Sequence, residues 1–466
     1  MIFKINKCVL RQYVIVIVAN FIYLCFGLET GWPSPVIAKL KDVNQTVLPH
    51  PISDYDASWV VSIGVLVGVF VMIFSGYLMD KIGRKTCFIL SSLPRLVNCF
   101  LAVFATEVWM LMLARILNGV SDIFGMCLVF TYTSEIASKE IRGALGTIAQ
   151  MSFAIGTMIM LTVGPFLSYV ALNIMVTAIV AVLYIPVLFL PETPYFLYSK
   201  GRKEESMKLL TYIRGSKEAA YEELKDYSTN SKLNPINKLE LFKHKAMWKS
   251  LGRAIFLIVG AQFTGYNSLS FYLQTVFAST RTDVTPETSS VVIGCIELFA
   301  CFCTIFLTDK FGRKPVLIVS LIVMAIGMIG LGTFFYLKTE HYEIKGFLNY
   351  LPLLSIMLAI FCYNAGIGCI MMMYIAELFN GSSRATGVSI TLFAASIFTF
   401  LVIRYFVAVT TAVGPMATYY GCSVTCIIMV LFIAFCLPET RGKTFNEIQN
   451  EINGDKNEHD NYITSM

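Results

Sequence analysis

The sequence predicts an all-α membrane protein of twelve transmembrane helices arranged as two six-helix bundles of the same orientation. Three observations carry that reading. Hydrophobic residues make up 56% of the 466-residue chain and charged residues only 14%, against about 25% charged in an ordinary soluble domain. Apolar runs of about twenty residues, enough for roughly 30 Å of hydrocarbon, recur from end to end. Three charged landmarks occur twice in the same order, as duplication of a six-span unit requires.

The runs lie near residues 13–36, 57–79, 87–106, 108–131, 144–166, 169–190, 254–277, 289–308, 315–336, 350–375, 386–410 and 415–437. The first follows Lys4, Lys7 and Arg11 in the manner of a signal peptide. No small-residue cleavage site follows it, and it leads into Gly31-Trp32-Pro33-Ser34-Pro35, so it is expected to remain as a helix. Lys81, Arg84 and Lys85 follow the second run, Lys139 and Arg142 the fourth, and Lys310, Arg313 and Lys314 the eighth. The net charge of +6 therefore reads as orientation by the positive-inside rule, not as affinity for nucleic acid. Both termini are expected in the cytoplasm of a multi-pass cell-membrane protein in contact with lipid. The sequon Asn44-Gln45-Thr46 then falls in the first outer loop as a glycosylation acceptor, while Asn380-Gly381-Ser382 falls on the inner face and is expected to stay bare. The thirteen cysteines lie nearly all in apolar runs. They read as packing residues, Cys301 and Cys303 included, with no metal site.

The duplication is explicit. "GYLMDKIGRK" ends the second run and "FLTDKFGRK" the eighth; "YTSEIASKEIR" ends the fourth and "YIAELFNGSSR" the tenth; "LPET" ends the sixth and the twelfth. The offsets drift only from 229 to 242 to 247 residues. Residues 1–190 are expected to form one bundle, 191–252 a cytoplasmic linker with short helices, 253–437 the second bundle and 438–466 a cytoplasmic tail. No phosphate-cradling glycine loop stands behind a strand, so ATP-driven pumping has no support. Enzymatic chemistry has none either: His50, His244, His341 and His459 all lie outside the runs, no nucleophile-base pairing is legible, and no cofactor is implied.

In each repeated loop a tight turn brings an acid, Asp80 or Asp309, beside the bases Arg84 and Lys85 or Arg313 and Lys314. Glu135 with Arg142, and Glu377 with Arg384, offer matching partners at the same level. Such clusters can latch the two halves together on the cytoplasmic side and break when that side opens; the alternative is that they are only positive-inside charges and helix ends.

These motifs, together with "ARILNG", "LPETPYFLYSKGR", "AQFTGYN" and "LPETRGKTFNEIQ", make the sequence resemble the sugar porters of the major facilitator superfamily, most closely the insect facilitated trehalose transporter type. The resemblance runs from about Phe26 to Ile448. It implies the major facilitator fold and alternating access of a sugar site between the halves, without covalent chemistry. Carried over residue by residue, it implies substrate contacts at Gln150, Gln262 and Asn267, with departures elsewhere. The first glutamine of the seventh-span pair is Ala261, an eighth-span amide position is Glu297, the tenth-span tryptophan position is Met372, and the eleventh-span asparagines fall on Ala395 and Thr399. Depth along the helices agrees: at about 1.5 Å per residue from each inner charged end, Gln150, Gln262, Asn267, Glu297 and Thr399 lie roughly 12 to 22 Å into the membrane. Amides there suit a sugar, because each can donate to one hydroxyl and accept from another. The same groups could instead bind neighbouring helices.

Glu29 closes the first apolar run, and a carboxylate inside a span faces a partner or a watery cavity. Depth counting places Arg115 of the fourth span at a similar level. In the proton-coupled sugar porters that the chain resembles, an acid at the Glu29 position pairs with an arginine at the Arg115 position, which makes protons a candidate partner beside the sugar. A permanent ion pair joining the first and fourth helices is the alternative. Arg95 and Asp122, on adjacent antiparallel spans, are expected to pair with each other. The function expected is transport of a sugar, trehalose or a hexose, facilitative or proton-coupled. A sugar sensor that does not transport, and a transporter of a non-sugar solute, are the alternatives.

Overall fold

The structure, a computed structural model, describes residues 7–138, 141–232, 245–379, 384–440 and 451. Regular secondary structure among them is entirely helical. The amino-terminal half comprises α1 (Lys7–Ala19), α2 (Phe21–Gly31), α3 (Pro33–Lys41), α4 (Asp54–Ile82), α5 (Arg84–Val103), α6 (Val108–Ile136), α7 (Arg142–Val163) and α8 (Tyr169–Val187). Three short helices follow: α9 (Pro194–Ser199), α10 (Lys203–Arg214) and α11 (Lys217–Lys232). The carboxy-terminal half comprises α12 (Lys245–Phe263), α13 (Tyr266–Phe271), α14 (Leu273–Thr280), α15 (Pro286–Phe311), α16 (Arg313–Thr339), α17 (Leu351–Cys362), α18 (Gly368–Glu377), α19 (Arg384–Val413) and α20 (Pro415–Cys436), with a π-helical turn at Tyr363–Ile367 between α17 and α18.

Eleven helical stretches among the described residues are long and apolar enough to cross a membrane. Twelve are expected from the sequence, and the difference has a local cause. The seventh apolar run is not one helix. It breaks at Thr264-Gly265, where Gly265 takes a left-handed φ of 92° and the Thr264 hydroxyl donates to the Ala261 carbonyl at 2.7 Å. A second break follows at Tyr272. Apolar periodicity is blind to such interruptions, because the hydrophobic run as a whole continues past the break.

Two compact units are formed, one over Met1–Trp32, Lys39–Met160 and Phe166–Pro235, the other over Pro33–Ala38, Leu161–Pro165 and Ile236–Met466. In the first, α6 packs on both α4 and α5. The approach of α4 to α6 is set by Gly64 and Gly119: a Cβ on Gly64 would meet the Arg115 carbonyl oxygen at 2.6 Å, and one on Gly119 would overlap Gly64 itself. This backbone contact, the membrane form of small-residue packing, brings the Arg115–Asp122 stretch into the bundle. The short helices dock on the same unit. Arg11 donates to the Tyr212 carbonyl at 2.9 Å, Gln12 Nε2 to that of Ile213 at 3.3 Å, and Arg214 to that of Ile136 at 2.7 Å while pairing with Glu223. In the second unit α16 packs on α17 and α20, and α12 on α19.

The outer faces are oily. Phe189 is 80% exposed and Phe435 84%, with Phe70, Phe74, Tyr77 and Phe100 also exposed, an arrangement that water would penalise and lipid tails satisfy. Asn44 is exposed in the loop between α3 and α4, its backbone N–H bonded to Asp42 at 2.9 Å, whereas Asn380 lies outside the described residues. Expressed in a glycosylating cell, the protein should lose a glycan, read as a gel shift, in Asn44→Gln and not in Asn380→Gln. The reverse pattern would invert the orientation read from the charges.

Candidate transport site

Four ionisable side chains from three helices of the first unit converge. Glu29, on α2, is 3% exposed, and its Oε2 lies 3.2 Å from Arg115 Nη1 on α6. Its Oε1 accepts from Asn98 Nδ2 at 2.9 Å and lies 3.9 Å from Arg95 Nη1, both on α5. Arg95 has no solvent exposure; its guanidinium pairs with Asp122 and donates to Asn118, and Asn118 Nδ2 donates to the other Asp122 oxygen at 2.8 Å. The Arg115 guanidinium also faces the Trp32 ring at 5.4 Å, and the Trp32 indole donates to Asn173 at 2.8 Å. The two ion pairs expected separately are thus one network of two carboxyl and two guanidinium groups. Asn98 and Asn118 were not expected in it. Their spacing was legible: Arg115, Asn118 and Asp122 fall on one face of a helix at steps of three and four, and Asn98 lies one turn beyond Arg95.

The second unit gathers three expected sugar ligands. Gln262, buried at the end of α12, uses one carbonyl oxygen to accept from Asn267 Nδ2 at 2.5 Å and from the Thr399 hydroxyl at 2.9 Å. The break at Thr264-Gly265 allows this contact, because it turns α13 so that Asn267 folds back towards Gln262. Gln262 Nε2 reaches only the Ile258 carbonyl, at 3.3 Å. Asn267 is half-buried, and its own carbonyl oxygen has no partner among the described residues. Ala395, on α19, is buried and accepts from Thr399 through its carbonyl. Gln150 sits half-buried on α7 of the first unit with no hydrogen bond among the described residues. Met372 is 42% exposed on α18.

Glu297, on α15, lies in a separate buried group. Its Oε1 accepts from the Tyr266 hydroxyl at 2.7 Å, and Asn364 Nδ2 donates to that hydroxyl at 3.4 Å. The Tyr266 ring stacks on Tyr363, centroids 3.6 Å apart and planes within 6°. Tyr266, Tyr363 and Asn364 were not among the expected site residues. The signal was faint, since the π-helical turn that presents Tyr363 and Asn364 leaves no mark in hydrophobic periodicity.

Each duplicated motif makes contacts within its own unit. Arg84 pairs with Asp80 at 3.1 Å and Glu135 at 2.8 Å, and Arg313 with Glu377 at 3.6 Å. The LPET glutamates, which the expectation overlooked, cap helix starts: Glu192 accepts from the backbone N–H groups of Arg84 and Lys85 at 2.9 and 3.1 Å, and Glu439 from those of Arg313 and Lys314 at 3.2 and 3.0 Å. A carboxylate at a helix N-terminus meets unpaired N–H groups and the positive end of the dipole. Tyr132 donates to the Pro191 carbonyl at 2.9 Å and Tyr374 to that of Pro438 at 2.5 Å. The side chains of Arg142, Asp309 and Arg384 lie outside the described residues.

The sugar (and other) transporter family matches residues 15–452. The chain belongs to that family. Similar proteins include the facilitated trehalose transporter Tret1 of Polypedilum vanderplanki, 27% identical over 435 residues that cover 92% of this chain and 85% of the relative. A facilitated trehalose transporter Tret1-2 homolog of Drosophila simulans is 28% identical over 436 residues, covering 92% and 88%. Among solved structures, the inward-open xylose transporter XylE of E. coli superposes with a TM-score of 0.77 at 20% identity, covering 94% of this chain and 99% of the other. Family and fold are those of transporters, not enzymes. No group of three or more His, Cys, Asp or Glu side chains among the described residues is placed to hold a metal ion.

The network around Arg95 is open to a stability test. Removing one partner of a buried ion pair leaves an uncompensated charge, at a cost of about 3 to 5 kcal/mol. Arg95→Met should therefore lower the midpoint of thermal unfolding in detergent strongly, and Arg95→Met with Asp122→Leu should recover part of the loss. Equal loss in the single and double variants would show that the pair is not energetically coupled.

Proposed function

We propose that the chain moves a sugar, trehalose or a hexose, across the cell membrane by alternating access, with both termini in the cytoplasm and the interrupted helix of α12 to α14 serving as a twelfth span. The observation that carries this reading is the Gln262–Asn267–Thr399 cluster at a helix break inside an apolar bundle. Discontinuous helices near the bilayer midplane are where transporters hold solutes. Amides with spare hydrogen-bonding capacity match vicinal hydroxyls. Membership of the sugar transporter family supports the substrate class, and the trehalose transporters among its relatives support a disaccharide. Loss of the aromatic side chain at Met372 favours a pocket shaped differently from that of the hexose carriers it resembles.

The test is vesicle uptake of labelled trehalose, glucose and xylose. Gln262→Ala should weaken binding of the transported sugar by about 1 to 3 kcal/mol, the cost of leaving a buried hydroxyl unpaired, at normal surface expression. Unchanged uptake in that variant would remove Gln262 from the site, and no uptake of any sugar would leave the sensor reading.

The contact of Glu29 with Arg115 at 3.2 Å favours a second reading, in which sugar movement is coupled to protons. A proton taken by Glu29 would free Arg115 from its carboxylate, and a cation without its partner must move or find another. Coupled transport predicts that wild-type vesicles concentrate sugar under an imposed pH gradient, whereas Glu29→Gln only exchanges it. If wild type does not accumulate sugar and moves no protons, the pair is scaffold and transport is facilitative.

A further inference from the structure

Glu297 stands apart from every other buried acid described here. It is 2% exposed and sits about 18 Å along its helix from Asp309. Among the described residues it has no ion-pair partner; its neighbours are the hydroxyl of Tyr266 and the amide of Asn364, which also donates to that hydroxyl. The helices packed against α15 are α14, α16, α17 and α18, together with the π-helical turn. α14 and α17 carry no charged residue. Arg313, Lys314 and Lys338 of α16 and Glu377 of α18 all lie in terminal turns. The other ionisable groups of these elements are Cys362 of α17, Tyr336 of α16, and Cys369 and Tyr374 of α18; α15 itself adds Cys295, Cys301 and Cys303, besides Glu287, Asp309 and Lys310 near its ends. Among the described residues, the ionisable side chain that contacts Glu297 is the phenol of Tyr266, with the Tyr363 ring stacked on it.

The internal repeat explains why no cation is there. At the offset of 229 residues that relates Arg84 to Arg313, the counterpart of Arg95 is Met324; at the offset of 242 that relates Glu135 to Glu377, the counterpart of Asp122 is Asn364. Both are buried. Where the first unit has its Arg95–Asp122 ion pair the second has a thioether and an amide, so the repeat places no guanidinium in the interior of the second unit to balance Glu297.

A carboxylate without a cation is costly in such surroundings, and two occupants could relieve it: a proton or a cationic ligand. With 2% exposure and one oxygen already bonded to a phenol, there is room for the smaller one. We propose that Glu297 is a second proton-binding site, independent of Glu29, and that its proton is sensed by the sugar cluster through α13. The linkage is short. Tyr266 holds the Glu297 carboxyl, and the next residue, Asn267, holds Gln262. Ionisation of Glu297 draws the Tyr266 hydroxyl more tightly to it and shifts the six-residue helix on which Asn267 rides. Proton binding stands on the geometry of Glu297 alone; its effect on sugar rests on the function proposed above.

Infrared difference spectroscopy of the purified full-length protein across a pH titration separates the two parts. A protonated-carboxyl C=O band is expected in wild type and in Glu29→Gln, and it should disappear in Glu297→Gln. Tyr266→Phe, which keeps the packing and deletes the donor to the carboxylate, should move the titration of that band to higher pH. Sugar affinity should vary with pH, by at most about tenfold per pH unit for a single proton. That dependence should persist in Glu29→Gln and flatten in Glu297→Gln. A titrating Glu297 band in a protein that binds no sugar would sink the sugar reading and leave the proton site intact. A spectrum unchanged by Glu297→Gln overturns the proton site even if sugar is transported. So does a Glu297 ionised at every pH whose replacement abolishes binding of an organic cation such as choline or glucosamine.

Discussion

A guanidinium that water cannot reach constrains the first unit more than any other group in it. Arg95 is wholly buried within a stretch that must lie in hydrocarbon, where an unbalanced charge would cost several kcal/mol. Its environment is accordingly organised around it. Asp122 and Asn118 approach from α6 and Glu29 from α2. On its other side α6 packs backbone to backbone on α4 through Gly64 and Gly119. Once Arg95 is balanced by Asp122, Glu29 is left for Arg115. The two pairs are therefore held against each other.

Much of the fold could be read in the sequence, because the bilayer imposes a length and a polarity that composition records directly. Six of the apolar runs became spans of the first half, and five of the second. The seventh did not, and the reason is local backbone geometry: Gly265, in a left-handed conformation, interrupts the helix within an apolar run. The π-helical turn at Tyr363–Ile367 escaped for the same cause. Both irregularities contribute polar side chains to the interior. What hydropathy cannot see is, in this chain, where polar chemistry collects.

Site residues were legible in proportion to their charge. Glu29, Arg115, Arg95 and Asp122 stand out in apolar runs, and depth counting along helices suffices to bring them together in pairs. That the pairs fuse into one network follows from rotation about the helix axes, which counting does not supply. The neutral partners Asn98, Tyr266 and Asn364 carry no such contrast against their surroundings. Glu192 and Glu439 were visible as members of a repeated LPET, yet their role as caps depends on where a later part of the chain returns to the start of α5 or α16. A repeat reveals that a contact matters without revealing its partner.

The duplication also shows what each half was free to change. The contacts at the helix ends are preserved pair for pair: glycine turns at Gly83 and Gly312, with φ of 93° and 87°, glutamate caps, arginine–glutamate pairs, and tyrosines on the proline carbonyls. They satisfy backbone groups and charges that any helix of this fold presents at its inner end, so both copies need them. The interiors face no such requirement. One holds a balanced set of charges; the other has Met324 and Asn364 at the positions matching Arg95 and Asp122, and Glu297 on a neighbouring helix. An ion pair resists motion because separating it in hydrocarbon is costly, whereas amides, hydroxyls and one acid can trade partners at the cost of single hydrogen bonds. A scaffold built from two copies can thus hold paired charges in one half and amides, hydroxyls and a single acid in the other, and in this chain the helix break at Gly265 and the Gln262–Asn267–Thr399 cluster lie in the second.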